Sequence, residues 1–459
     1  MRNPLFGPHR RGSSGRRTDG LGWLDIVRLG LVQASLGAIV VLTNSTLNRV
    51  LIVELGLAAV IPGLLVGIHY AVQISRPVWG HRSDTGNSRQ RWILGGLALL
   101  GLSGTLAASS PLAFEQSQAL GLMVAIPAYI LIGVGIGASG TSLLALLATR
   151  TAPERRATAA TITWMMMIAG IVVTSIVTGF LLEPYSHPRL IAVTAATGAV
   201  AFIIACLAVR GVERKPALPE ATQRLATASF RDSLTDVWQD RQARLFTLFV
   251  FLSMLAYSTQ DLILEPFAGL MFGMTPGQST RLSGTQHAGM LLGMAIVGIS
   301  GWLYGRRNPA IARNFIIWGC AGSAVALAAL ALSASVAPAW PLQANIFLLG
   351  LMNGAFAVAA IGTMMQLAGQ GTRKNAGMRM GVWGAAQAIS FGLGGLLGTV
   401  AFDLGRWATG LDATAFAMVF GFEALLFLLS TVLAMRIATP RSSPQPLPER
   451  FAPGPVAAE

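Results

Sequence analysis

The sequence predicts an all-α integral membrane protein of twelve transmembrane helices, arranged as two halves of six. Three observations carry that prediction. Of 459 residues, 53% are hydrophobic and only 11% charged, with a mean hydropathy of +0.61, which leaves too little polar surface to coat a soluble particle of this size. Twelve apolar runs are long enough to cross the hydrocarbon core, which takes roughly 20 residues of helix. Basic residues fall in alternate connections, the pattern of loops that stay in the cytoplasm.

In chain order, the tail 1–27 carries Arg2, Arg10, Arg11, Arg16 and Arg17, and Arg28 opens the first span, 28–48. The second, 59–79, leads to Arg82, Arg89 and Arg91. The third, 91–110, and fourth, 121–149, end at Arg150, Arg155 and Arg156. The fifth, 158–182, and sixth, 189–209, end at a polar connection, 210–244, that runs from Arg210 to Arg244 and holds seven basic residues. The seventh, 245–264, and eighth, 282–304, reach Arg306, Arg307 and Arg313. The ninth, 312–335, and tenth, 341–369, reach Arg373, Lys374 and Arg379. The eleventh, 379–402, and twelfth, 412–436, end at Arg436 and the tail 437–459 with Arg441 and Arg450. The opposite connections hold only Arg49, Arg189, Arg281 and Arg406. The alternation holds at every crossing and puts both termini in the cytoplasm. The fourth and tenth runs are long enough to tilt or to project beyond the bilayer.

The connection 210–244 is the longest and separates an N-terminal half, 28–209, from a C-terminal half, 245–436. The halves echo each other. "ATRTAPERRATAAT" follows the fourth span and "AGQGTRKNAGMRMG" the tenth; "RPVWGHRSDTGNSRQR" follows the second and "GWLYGRRNPAIAR" the eighth. Parallel half-repeats build a class of transporters whose cavity lies between the halves. The net charge of +14 is accounted for loop by loop, which removes the nucleic-acid reading and favours anionic lipid head groups. The N-terminal tail lacks an apolar stretch directly after its paired arginines, so the first helix serves as the insertion signal. The Pro-rich C-terminal tail is expected to be disordered. Cys206 and Cys320 lie inside spans and read as packing residues, with no disulfide or metal framework.

At "GHRSDTGNSRQR" the chain resembles the major facilitator superfamily. Gly80, Asp84, Arg89 and Arg91 match its loop motif, with Ser88 where an arginine is expected. The resemblance implies a cytoplasmic gate, in which the glycine permits close helix approach and Asp and Arg bond across helix ends. The second-half copy lacks the Asp, and a basic loop with one acid is the plainer reading. Three longer strings, "RLGLVQASLGAIVVLTNSTLNRVLIVELGL", "PGLLVGIHYAVQISRPVWGHRSD" and "QDLILEPFAGLMFGMTPGQSTRLSGTQHAGMLLGM", resemble the PucC/LhaA, or bacteriochlorophyll delivery, family of purple phototrophic bacteria. That resemblance covers nearly the whole chain. It implies a major-facilitator-like fold in the bacterial inner membrane, cytoplasmic or intracytoplasmic, and a role in assembling light-harvesting antenna complexes. Bacteriochlorophyll would be bound cargo; antenna polypeptides and pigment-synthesis enzymes would be partners. Some members carry an older label as a bacteriochlorophyll synthase subunit.

Charged groups in hydrocarbon cost a few kcal/mol each, so they face a bundle interior and find partners. Ser253, Tyr257, Asp261 and Glu265 recur at intervals of four and share one face of the seventh span. The first span answers with Asn44, Ser45, Asn48 and Arg49. In the facilitator fold these two helices are pseudo-equivalent and line the cavity, so Arg49 is expected to pair with Asp261 or Glu265; local pairing with Glu54 stands beside it. His69, Gln73 and Arg76 form a polar stripe on the second span, and Gln286 and His287 stand together on the eighth, followed by Met290 and Met294. A neutral imidazole can fill the open axial position of a Mg macrocycle, as the proximal histidine does for haem; the other reading of each histidine is an interhelical hydrogen bond. "GVGIGASG" and "FGLGGLLG" allow close helix approach, for sliding, for a flat groove or for plain packing. Trp164 and Met165 to Met167 suit either a large apolar ligand or lipid-facing filler.

Asp232, Asp236 and Asp240 sit at helical spacing, as in prenyltransferases that hold Mg-diphosphate. Arginines surround them, an apolar side is present and no second cluster faces them, so an amphipathic surface helix is simpler. No nucleophile, redox or Walker constellation appears, and no enzyme is expected. The expected function is an antenna assembly factor that delivers or holds bacteriochlorophyll. The alternatives are a proton- or ion-coupled carrier of an unrelated solute, with Asp261 or Glu265 titrating, and a pure scaffold for antenna helices.

Overall fold

A computed structural model describes residues 20–76, 79, 88–152, 155–212, 238–304, 308, 310–370 and 376–437. Gly80 and Asp84 of the gate motif, Asp232 and Asp236, and the tail residues 1–19 and 438–459 lie outside the described residues. Among the described residues there are twelve helices and no strands: α1 Trp23–Glu54, α2 Val60–Ser75, α3 Arg89–Gln116, α4 Gln118–Arg150, α5 Arg156–Leu181, α6 His187–Val209, α7 Arg241–Phe272, α8 Pro276–Tyr304, α9 Ile311–Ser333, α10 Leu342–Gln370, α11 Ala376–Thr409 and α12 Asp412–Arg436. Eleven of them are long and apolar enough to cross a membrane, and α2 is the shorter one.

Several helices outrun the apolar spans. α1 begins at Trp23 and continues through Arg49 to Glu54, α7 extends to Phe272, and α8 opens at Pro276. An apolar run stops at the first charge, whereas a helix continues as long as its charges find partners. Asp240 supplies one such partner, capping α7 by accepting from the backbone of Gln242 at 2.8 Å and Ala243 at 3.3 Å and pairing with Arg379. That satisfies orphan donors at the helix start and gives Asp240 a structural role. At the other end Gly273 adopts a left-handed φ of 65°, which lets the chain turn directly into α8.

Packing repeats with an offset of six helices. α1 lies on α5 and α6 as α7 lies on α11 and α12; α3 lies on α4 and α6 as α9 lies on α10 and α12; α2 lies on α4 as α8 lies on α10. Two substantial seams join the two sets, α2 with α11 and α5 with α8. The helix contacts repeat as two parallel six-helix repeats would make them.

Both ends of the described chain share one face, the terminal face. There Leu21 donates its backbone N–H to Arg150 at 2.8 Å, Arg28 reaches the backbone of Leu207 at 3.3 Å and of Arg210, and Arg313 reaches that of Met435. The opposite side is the distal face.

The glycine runs are helix seams. A Cβ at Gly133 would lie 2.6 Å from the His69 carbonyl on α2, and one at Gly135 would lie 2.8 Å from that of Gly96 on α3. Gly394 and Gly398 are filled by Ser258 and Thr259 of α7. Met166 and Met167 pack likewise against Gly30 and Gly37 of α1. In a membrane such close approach replaces the hydrophobic driving force between helices.

Candidate functional site

The two six-helix sets meet on the distal side through short polar contacts. On one seam Asp403 of α11 accepts from the backbone N–H groups of Ala59 at 3.0 Å and Val60 at 2.7 Å, capping the start of α2. On the other, Glu183 beyond α5 accepts from the Thr275 hydroxyl at 3.0 Å and from Arg281 at 3.1 Å. Arg281 also donates to the Gly179 carbonyl at 3.1 Å and lies 4.6 Å over the Phe180 ring. These donors hold the Glu183 carboxyl below the usual carboxylate range.

Arg49 lies between these seams. Two turns of α1, Leu42–Thr46 and Val50–Glu54, are widened, and Leu55 donates its N–H to Val50 five residues back at 3.2 Å. Such turns re-aim side chains and recur at functional sites. Arg49 is 2% exposed, pairs with Glu54, donates to the Met274 carbonyl and packs on Gly269, where a Cβ would lie 3.1 Å from its Nη2. Of the two pairings expected of Arg49, the structure makes the local one with Glu54 and not the one with Asp261 or Glu265, which is corrected. Gly269 is one turn beyond Glu265 and two beyond Asp261, so the guanidinium reaches α7 distal to both acids, while the widened turn brings Glu54 within range. Arg49 still joins the halves, through a carbonyl rather than a carboxylate. Asn48 joins them too, donating to the Leu262 carbonyl at 2.6 Å, as do Thr46 and Thr280 at 3.0 Å. Glu265 accepts from Ser279 of α8 at 3.1 Å.

Away from the distal face, α2, α7, α8 and α11 converge on an aromatic cluster. The ring of Phe391 lies 5.8 Å from Tyr70 and 5.9 Å from Tyr257, and the Tyr257 hydroxyl points at the Met290 sulfur at 3.8 Å. Asp261, half-buried, is one turn from Tyr257 and within electrostatic range of both tyrosines.

The two candidate histidines differ. Arg76 has only donors, so Gln73 turns Oε1 toward it and its amide N–H to His69 Nε2 at 2.7 Å. The His69 Nε2 lone pair is thus engaged within α2. His287 donates from Nδ1 to the Ser283 carbonyl of its own helix at 2.9 Å. That fixes the neutral tautomer and leaves Nε2 carrying the free lone pair, the arrangement of metal-ligating histidines. Thr280, bonded to Thr46 of α1, lies seven residues earlier on the same face of α8, so His287 faces the interior. Met290, the next turn along, touches Tyr257. Gln286 shares instead the face of Gly289 and Gly293, which packs on α10, and is not brought to the same place.

Of the gate motif, Arg89 donates to the Thr149 hydroxyl at 2.5 Å, bonding α3 to α4 within one half. Arg91 borders an apolar groove with Trp79 and Trp92. Glu423 of α12 and Gln260 of α7, both completely buried, and Asp403 escaped sequence reading. Glu423 had a signal, an acid inside an apolar span.

Comparison with known proteins matches this architecture at two levels. Among solved structures, a D-xylose-proton symporter superimposes with a TM-score of 0.69 over 90% of this chain and 97% of its own, at 14% identity. A bacterial homologue of the human lysosomal transporter Spinster gives 0.67 over 92% and 98%, also at 14%. These share the fold. Among sequences, the bacteriochlorophyll synthase 44.5 kDa chain of Rhodobacter capsulatus is 49% identical over 92% of this chain and 97% of its own length. The protein PucC of Rhodovulum sulfidophilum is 28% identical over 83% and 85%. The family described as PUCC protein matches residues 46–442, and so the chain, a multi-pass membrane protein with the fold of facilitator-type transporters, belongs to the PucC family.

Proposed function

We propose that this protein is an assembly factor for bacterial light-harvesting complexes that holds bacteriochlorophyll between its two halves for transfer to antenna polypeptides. The observation that carries the pigment-binding part is His287. Its Nδ1 is tied to Ser283, its Nε2 is left as an acceptor, and it lies one turn from Met290 in the cluster with Tyr257, Phe391 and Tyr70. Bound pigment would place its macrocycle against this aromatic and thioether surface, which offers large contact area at low ordering cost, with His287 toward the Mg. His69 would serve as an interhelical contact. Kinship with a protein named as a bacteriochlorophyll synthase chain supports pigment as the cargo, and we read that name as accompaniment of pigment synthesis rather than catalysis. In this reading the terminal face, where the basic connections lie, is cytoplasmic.

The test is the absorption spectrum of the protein purified in mild detergent from a pigment-making host. Bacteriochlorophyll should co-purify with the wild type and with His69→Ala, and be lost with His287→Ala. A second reading, a coupled carrier of a small solute, is favoured by Asp261, half-buried beside the cavity tyrosines in a fold shared with a proton symporter. It predicts pH-driven solute flux into vesicles and a colourless protein.

A further inference from the structure

Glu423 and Gln260 are the least explained side chains in the molecule. Each is 0% exposed, and neither the carboxyl oxygens of Glu423 nor the amide atoms of Gln260 have a hydrogen-bond partner among the described residues. The helix faces that carry them meet. α7 and α12 run in opposite directions, and Phe267 of α7 lies 5.1 Å from Phe416 of α12, ring to ring. One seven-residue step along each helix, which keeps the same face, leads from Phe267 to Gln260 and from Phe416 to Glu423. Asp261, beside Gln260, is within electrostatic range of Glu423.

A buried carboxylate with neither counter-ion nor donor is too costly to persist in a membrane bundle. The surroundings offer no cation. From α7 come Gln260, Asp261 and Tyr257; from α9, whose Arg313 is held at the terminal face by Met435, the buried Cys320; from α10 no charged residue; and from α11 none between Arg379 and Asp403, at its two ends. A carboxylic acid, unlike a carboxylate, both donates and accepts. So does a carboxamide, so a protonated Glu423 and Gln260, unbonded as they stand, carry the complementary donors and acceptors to satisfy each other.

We propose that Glu423 and Gln260 form an intramembrane proton-binding site, reached through the half-buried Asp261. The step is a simple protonation: a hydronium reaching the exposed part of Asp261 gives its proton to that carboxylate, leaving water, and Asp261 passes the proton to Glu423, forming the carboxyl O–H and regenerating the Asp261 carboxylate. Negative charge then resides on one acid of the pair rather than on both. This site is independent of what the cavity carries.

Infrared difference spectroscopy of the full-length protein in lipid nanodiscs tests it, by following the carbonyl stretch of protonated carboxylic acids at neutral pH. The wild type should show such a band. Glu423→Gln should remove it, Asp261→Asn should retain it, and Gln260→Leu should shift it to higher frequency as its hydrogen bond is lost. No band removed by Glu423→Gln in a folded variant would overturn the proposal. Should Glu423→Gln fail to fold, a wild type without the band, or a band that Gln260→Leu leaves unmoved, would overturn it equally.

Discussion

Gly350 of α10 sits directly on α8, and a Cβ built on it would lie 1.9 Å from the Gln286 carbonyl oxygen. Real Cβ atoms do not approach closer than 3.0 Å, so Gly350→Ala must part the two backbones by about 1 Å, the difference between those distances. The obstacle is backbone, which cannot rotate aside, and overpacking of this kind costs about 1–3 kcal/mol. The displaced segment carries His287, next in sequence to Gln286, so the site should shift with the seam. Gly362, on the same helix, has nothing within 4 Å of its would-be Cβ and supplies the control. Thermal unfolding in detergent, followed by circular dichroism, should place Gly350→Ala clearly below the wild type and Gly362→Ala close to it. Equal stability of the two variants would refute the close-approach argument.

Other expectations follow from single contacts. Removing Glu54 leaves the buried Arg49 without its carboxylate, a loss of up to about 3 kcal/mol; the exchange Arg49→Glu with Glu54→Arg should recover part of it, whereas pairing Arg49→Glu with Asp261→Arg should not, as read by thermal unfolding. Asp403→Ala removes the cap of α2 and should cost about 0.5–2 kcal/mol, with faster amide hydrogen exchange at Ala59 and Val60 and unchanged exchange in α9. Glu183 is held below the ordinary glutamate value of 4.5 by Thr275 and Arg281. Its stabilisation is therefore complete above that value and is lost as pH falls through the lower folded value. The unfolding temperatures of wild type and Glu183→Gln should differ at neutral pH and converge in acid.

Much of the fold was legible because lipid imposes a length on each helix, and that is written into single stretches of chain. Contacts between distant stretches are not. α1 and α7 could be matched as equivalent helices, yet the partner of Arg49 depended on a widened turn at Val50–Glu54 and on how far along α7 the guanidinium comes to rest. Gln286 and His287 looked like one site as neighbours in sequence, but adjacent helical residues point about 100° apart, and only His287 lies on the face of Thr280 and Met290. His69 and Gln73 were correctly seen as one stripe, whereas the consequence, an imidazole already occupied, needed the position of Arg76. Glu423 was readable by the rule that a charge inside an apolar span faces the interior, yet it has no four-residue recurrence of the kind that marks α7.

The central claim is that His287 meets the Mg of a bacteriochlorophyll. The most direct test is equilibrium binding of bacteriochlorophyll, and of the same pigment stripped of Mg, to purified protein in detergent, for wild type and His287→Ala. The account predicts that wild type prefers the Mg pigment and that the substitution abolishes the preference while leaving the Mg-free pigment bound as before. Equal affinity of wild type for both pigments, or a preference untouched by the substitution, would contradict it.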